Sequence, residues 1–238
     1  MTADQWTRAV RHHLGPGRLL PLGGPREGAW ISEEAAHAVV RVAVEGLRDV
    51  RLGALRTGLA DPEDTYEPVV LPPPGALPPG PLRLTAEFEA TPAEPLPVTS
   101  ELLRTALARA AADLLGLELA VVDLRVTALL DADAEPSPVR RPEPPRPAEA
   151  DPGEEALAAA AALAVPGVVR LTGLLGRPVH IGELETGDGS LARRHVRVEV
   201  AVGADRRALD VARDVRAAVG EALSDRPTVA VLVTAVTD

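Results

Sequence analysis

A chain of 238 residues suits one or two domains, and 46% hydrophobic with 25% charged residues fits a globular protein. The absence of cysteine excludes disulfides, zinc ribbons, iron–sulfur ligation and thiol catalysis. A net charge of −10, from 35 acids against 25 bases, argues against nucleic-acid binding. Every base is Arg, which reads as the codon bias of a GC-rich genome. Trp6, Trp30, Tyr66 and Phe88 are the only aromatic residues, so the core must be built from Ala, Val and Leu. Such a core suits thin α+β layers and argues against an aromatic-walled cleft.

Residues 1–28 read as an N-terminal helix and connector. Trp6, Val10 and Leu14 lie on the helix's apolar side, His12-His13 are solvated, and Gly23-Gly24-Pro25 ends the segment. The start lacks the basic-then-apolar order of a signal peptide, and the uncharged, Ala-rich run 156–169 is short and broken by Pro166-Gly167. A cytoplasmic protein with no direct membrane insertion is expected. Ser32, followed by Glu33 and Glu34, predicts a helix start. Alternation of Leu82, Leu84, Ala86 and Phe88 with polar neighbours predicts a strand, and 99–115 and 119–130 read as helix and strand. The prolines of 61–81 predict a long exposed loop. Residues 132–152, holding seven of the 24 prolines, read as a semi-stiff linker. Asp151-Pro152 then predicts a second helix start. Gly187-Asp188-Gly189 predicts a hairpin turn. His195–Val202 alternates as a strand, and 205–223 and 228–237 read as helix and strand.

The two halves repeat. A shift of 121 lays Glu33-Glu34-Ala35 on Glu154-Glu155-Ala156, and Val44-Glu45-Gly46-Leu47 on Val165-Pro166-Gly167-Val168. A shift of 107 lays Val122, Val126, Thr127 and Ala128 on Val229, Val233, Thr234 and Ala235, and Leu102 and Arg109 on Leu209 and Arg216. The expected fold is therefore α+β: two helix–strand–strand–helix–strand domains, 29–131 and 153–238. Each would be a small antiparallel sheet with helices on one face and a polar face opposite.

Little here points to catalysis. No serine sits in a Gly-x-Ser-x-Gly elbow, and the chain has no Walker-type loop. A hairpin centred on Gly187-Asp188 would set His180 opposite His195, a pair able to hold a metal or small molecule if further ligands joined it. Arg193, Arg194 and Arg197 form the one concentrated basic patch. It reads either as a strand face paired with Glu199 and Glu185 or as a docking surface for an acidic partner or anionic headgroups.

The two Val-x-Gly-apolar motifs, carried by Val44 and Gly46 and by Val165 and Gly167, lead into a Val-rich hairpin. With His195–Gly203 and Val211–Val219, they resemble the alkaline shock protein family of bacterial envelope stress response proteins. Whole-chain relatives from GC-rich bacteria, some labelled as a nucleopolyhedrovirus-type family, look similar too, and that label implies nothing viral. The resemblance transfers a fold, since its motif positions are apolar residues and glycines. It implies a non-enzymatic scaffold without cofactor that self-associates or is gathered at the membrane by a small membrane-anchored protein partner. Two copies joined by a proline-rich tether depart from the usual single-domain members. The alternative is a small-molecule- or metal-binding, even catalytic, domain using the His180/His195 surface.

Overall fold

The computed structural model describes residues 17–47, 49–131, 145–184 and 193–237, the side chains of Leu184 and Arg193 apart. The expected N-terminal helix, the Gly187-Asp188 turn and most of the linker lie outside these residues. The fold is α+β. In chain order it runs β1 (Leu19–Pro21), β2 (Ala29–Ser32), α1 (Glu33–Val44), β3 (Val50–Leu59), β4 (Leu82–Ala90) and α2 (Leu96–Ala110). A π-helical turn, Ala111–Leu115, extends α2. There follow β5 (Leu119–Leu129), α3 (Glu154–Leu163), β6 (Val168–Leu171), β7 (Val179–Leu184), β8 (Arg193–Gly203), α4 (Ala208–Ala222) and β9 (Thr228–Thr237).

Ser32 caps α1 as expected, its hydroxyl accepting the Ala35 N–H at 3.3 Å with Glu33 and Glu34 in the first turn. The second helix differs. It opens at Glu154 behind Gly153 at φ 96°, so Asp151-Pro152 lies just outside it.

Sheet B has the order β3-β4-β5, and sheet A the order β1-β2-β9-β8-β6, with β7 also pairing β8. Both sheets are mixed. The antiparallel arrangement expected for each copy holds for β3 on β4 and for β6 and β7 on β8. The last two strands of each copy are parallel, because a helix crosses between them and returns the chain to the same end.

The repeat shows in the ladders. In the first copy the register slips between Phe88/Val126 and Glu89/Ala128; in the second it slips between Val200/Val233 and Ala201/Ala235. The residue left over is a threonine both times. Thr127 donates to the Phe88 carbonyl at 3.3 Å, and Thr234 to the Val200 carbonyl at 3.2 Å. One bulge with one bridging hydroxyl thus recurs at the shift of 107.

The glycine motifs correspond less closely. Gly46 and Gly167 both leave a helix, and Val44 and Val165 before them are buried. Gly167, at φ 92°, accepts the Gly203 N–H on its carbonyl at 2.8 Å. In the first copy that conformation and bond belong to Asp49, at φ 66°, whose carbonyl accepts from Thr91 at 3.0 Å. The first copy's turn is longer, so the expected equivalence of Gly46 with Gly167 is displaced onto Asp49.

The copies are not merely tethered. The β2 strand, just before the first copy's α1, adds in parallel to β9, the last strand of the second copy. Helix α1 packs on α2 and β3 but also on β9, and one continuous core joins both sheets. The loop expected to be exposed crosses to the outer face of sheet A. Val70 is buried there with Leu19, Trp30, Ala230 and Leu232, and the Leu77 N–H donates to the Leu19 carbonyl at 2.9 Å. Tyr66, Val69 and Leu71 of the same loop remain exposed. Among the described residues, no helix is long and apolar enough to cross a membrane.

Candidate functional site

Period two along β8 assigns its side chains. Val196, Val198, Val200 and Val202 enter the helix-side core, which turns His195, Arg197 and Glu199 to the outer face. Glu199 is fully buried. Its carboxylate accepts the Leu175 N–H at 3.0 Å and lies 3.4 Å from Arg197 Nε. Burial pushes the Glu199 carboxyl above its ordinary pKa, against the Leu175 amide and the Arg197 charge, which favour ionisation. Beside it Thr172 and Thr234 share a hydroxyl contact of 2.7 Å, and the Ser32 hydroxyl donates to the Thr234 carbonyl at 3.3 Å. The outer face of sheet A, expected to be polar and solvated, is therefore covered at its centre.

His195 is buried, with Nδ1 2.9 Å from Thr228 Oγ1. Burial first, then the charges of Arg197 and His180, lower its pKa to about 4. The register sets Gly182 opposite His195 and Arg197 opposite His180. The two histidines share a face but are diagonal neighbours, not the cross-strand pair expected from a turn centred on Gly187-Asp188. His180 is exposed. Among the described residues, no group of three or more His, Asp or Glu is arranged to hold a metal ion. The His195 ring is thus engaged by a threonine, beside an arginine paired with a buried carboxylate.

The three arginines do not make one surface. Arg194 turns to the helix side, where Glu154 of α3 and Asp225 before β9 hold it, the latter at 3.1 Å. Arg197 turns to the outer face and is 13% exposed. Arg193 shares β8 through its backbone. The expected patch is corrected accordingly, with the Arg197–Glu199 contact retained. Strand alternation alone separates residues 194 and 197, a signal already present in the sequence.

A different surface is open. Leu47, after α1, and Pro97, Val98, Leu102, Thr105 and Ala106 of α2 line a shallow groove of about 630 Å³, edged by Glu101 and Arg109. Val98 and Leu102 are 47% and 58% exposed, unusual for branched apolar residues one helical turn apart. The matching helix of the second copy is covered only along one edge of this face, since Val98 and Leu102 fall on Asp210 and Asp214 there, the latter half exposed. At the corresponding start of α4, Leu209 is buried against Gly116 and Gly23. Arg213 grips Glu27 through two bonds of 2.7 and 2.8 Å, and Arg216 donates to the Arg26 carbonyl at 2.7 Å. Gly116, at φ 89°, is needed there, since a Cβ on it would lie 2.6 Å from Leu209 Cβ. The helix periodicity of 96–110 was legible, but that one stripe of it stays uncovered was not.

No family model matches the chain, and no curated protein matches it. The site's chemistry therefore rests on its own geometry.

Proposed function

We propose that the chain is a non-enzymatic accessory or scaffold protein of the bacterial envelope stress response, working through protein–protein contacts near the cytoplasmic membrane. The stress-response setting comes from the resemblance of its repeated motifs to the alkaline shock protein family. The contact mode comes from the apolar groove on α2, whose exposed Val98 and Leu102 are replaced by Asp210 and Asp214 on α4. Its occupant is a partner segment with an apolar stripe for Val98 and Leu102 and charges opposed to Glu101 and Arg109. A small membrane-anchored protein presenting such a segment would hold the chain at the membrane without inserting it. The His180/His195 alternative gains nothing from a neutral, threonine-bonded His195.

The test is fractionation of cells producing the chain or its Leu102→Glu variant. Leu102 is more than half exposed, so the variant keeps its melting temperature. The parent chain is expected to sediment with membranes and be released by detergent, and the variant to stay in the supernatant. A parent chain found wholly in the supernatant overturns the reading, as does a variant that sediments equally.

A further inference from the structure

The second copy's last strand is covered on its far side and the first copy's is not. On β9, the Val231 N–H donates to the Gly28 carbonyl at 2.9 Å, and β2 pairs with residues 231–233. The bulge threonines make β5 the equivalent strand, so Leu124 stands where Val231 stands. Yet β5 ends sheet B, with no strand beyond it among the described residues. Val126 and Leu129 on it are 38% and 64% exposed. In a parallel ladder alternate residues turn both backbone groups to the same side. Val122, Leu124 and Val126 therefore face outward, and Arg104 Nε already donates to the Val122 carbonyl at 3.4 Å. An open edge of this length is a template for another strand.

The sequence of this edge is complementary to itself. Antiparallel pairing of two β5 strands about Leu124 sets Val122 against Val126. Within this regular stretch, which ends at the register slips beside Ala120 and Thr127, it also sets Asp123 against Arg125 twice, on the polar face, where Arg83 and Glu87 already flank them. Each chain thus meets its copy with opposite charges and matched apolar residues.

We infer that the β5 edge binds a second copy of this chain, joining two B sheets into one six-stranded antiparallel-centred sheet across a two-fold axis at Leu124. This deepens the scaffold reading by naming one partner, and it concerns a surface separate from the α2 groove. The partner-binding grooves of the two copies would then be presented together, raising their effective concentration at a membrane.

The experiment is sedimentation equilibrium of the purified full chain at tens of micromolar, with three variants. The parent is expected to form a species of twice its 24.8 kDa mass. Arg125→Asp, which sets like charges opposite each other, is expected to weaken the dimer at least tenfold. The double variant Asp123→Arg/Arg125→Asp is expected to restore it. Because the chain has no cysteine, Leu124→Cys supplies a unique thiol at the axis. Facing residues there are about 5.5 Å apart between Cα atoms, within disulfide reach. Mild oxidation is expected to cross-link Leu124→Cys but not Arg56→Cys on the opposite edge. A monomeric parent, or a dimer unaffected by Arg125→Asp and not cross-linked at Leu124, overturns the inference. Neither result bears on membrane recruitment through Leu102, so the two readings fail separately.

Discussion

Trp30→Ala is expected to cost about 3–5 kcal/mol of folding stability, the usual range for truncating a fully buried large aromatic. Trp30 sits on β2, 1% exposed, between Leu19, Val70, Ala230 and Leu232. Its indole N–H donates to the Leu77 carbonyl at 3.3 Å. One side chain therefore holds three separate parts of the chain: the connector, the last strand of the second copy and the proline-rich loop of the first. Its removal opens a cavity that Ala230 is too small to fill and releases the loop's main anchor. Thermal denaturation should show a melting temperature lower by roughly 10 °C for a chain of this size. Limited proteolysis should show faster cleavage within residues 61–81. A loss below about 1 kcal/mol would mean that the loop is not seated on sheet A.

The second large effect is on pH dependence. The His195 pKa falls from its ordinary 6.5 to about 4 in the folded chain, through burial and the charges of Arg197 and His180. The unfolded chain binds a proton that the folded one refuses between those values. Stability is therefore fully present above pH 6.5 and lost as the pH falls toward 4. At about 1.4 kcal/mol for each pH unit, the loss amounts to roughly 3 kcal/mol. Glu199 opposes it, since its raised pKa makes ionisation costly and acid relieves that cost. The comparison is therefore with His195→Gln, which keeps a hydrogen-bonding group near Thr228 and does not titrate. Urea denaturation at pH 7 and pH 4.5 should show the parent losing about 2–3 kcal/mol more than the variant. Equal losses would place His195 in solvent.

Much of the fold could be read from periodicity. The strand at 82–90 and the helices at 96–110 and 208–222 follow from the spacing of their apolar residues. The recurrence of Thr127 as Thr234 was visible as a shift, and its role as the bulge residue needed the ladders. Strands β1 and β2 left no signal, being three and four residues long and buried throughout, too short for any alternation. The pairing of β2 with β9 is long-range and leaves no trace in local composition. The proline-rich loop was legible as irregular backbone, but Val70 and Leu77 give no sign that they seat on the other copy's sheet. Glu199 looked like any polar member of an alternating strand, and only the covering segment at Leu174 and Leu175 makes it buried. At the candidate surfaces, the exposure of Val98 and Leu102 on α2 and the open edge of β5 depend on what packs beside them, which local composition does not encode.

The β2 strand pairs with β9 and the connector packs on α4, which makes the two copies one body. Scanning calorimetry of the full chain tests this most directly. One transition is expected, with calorimetric and van't Hoff enthalpies in agreement. Two resolved transitions, each with the enthalpy of a single copy, would contradict it.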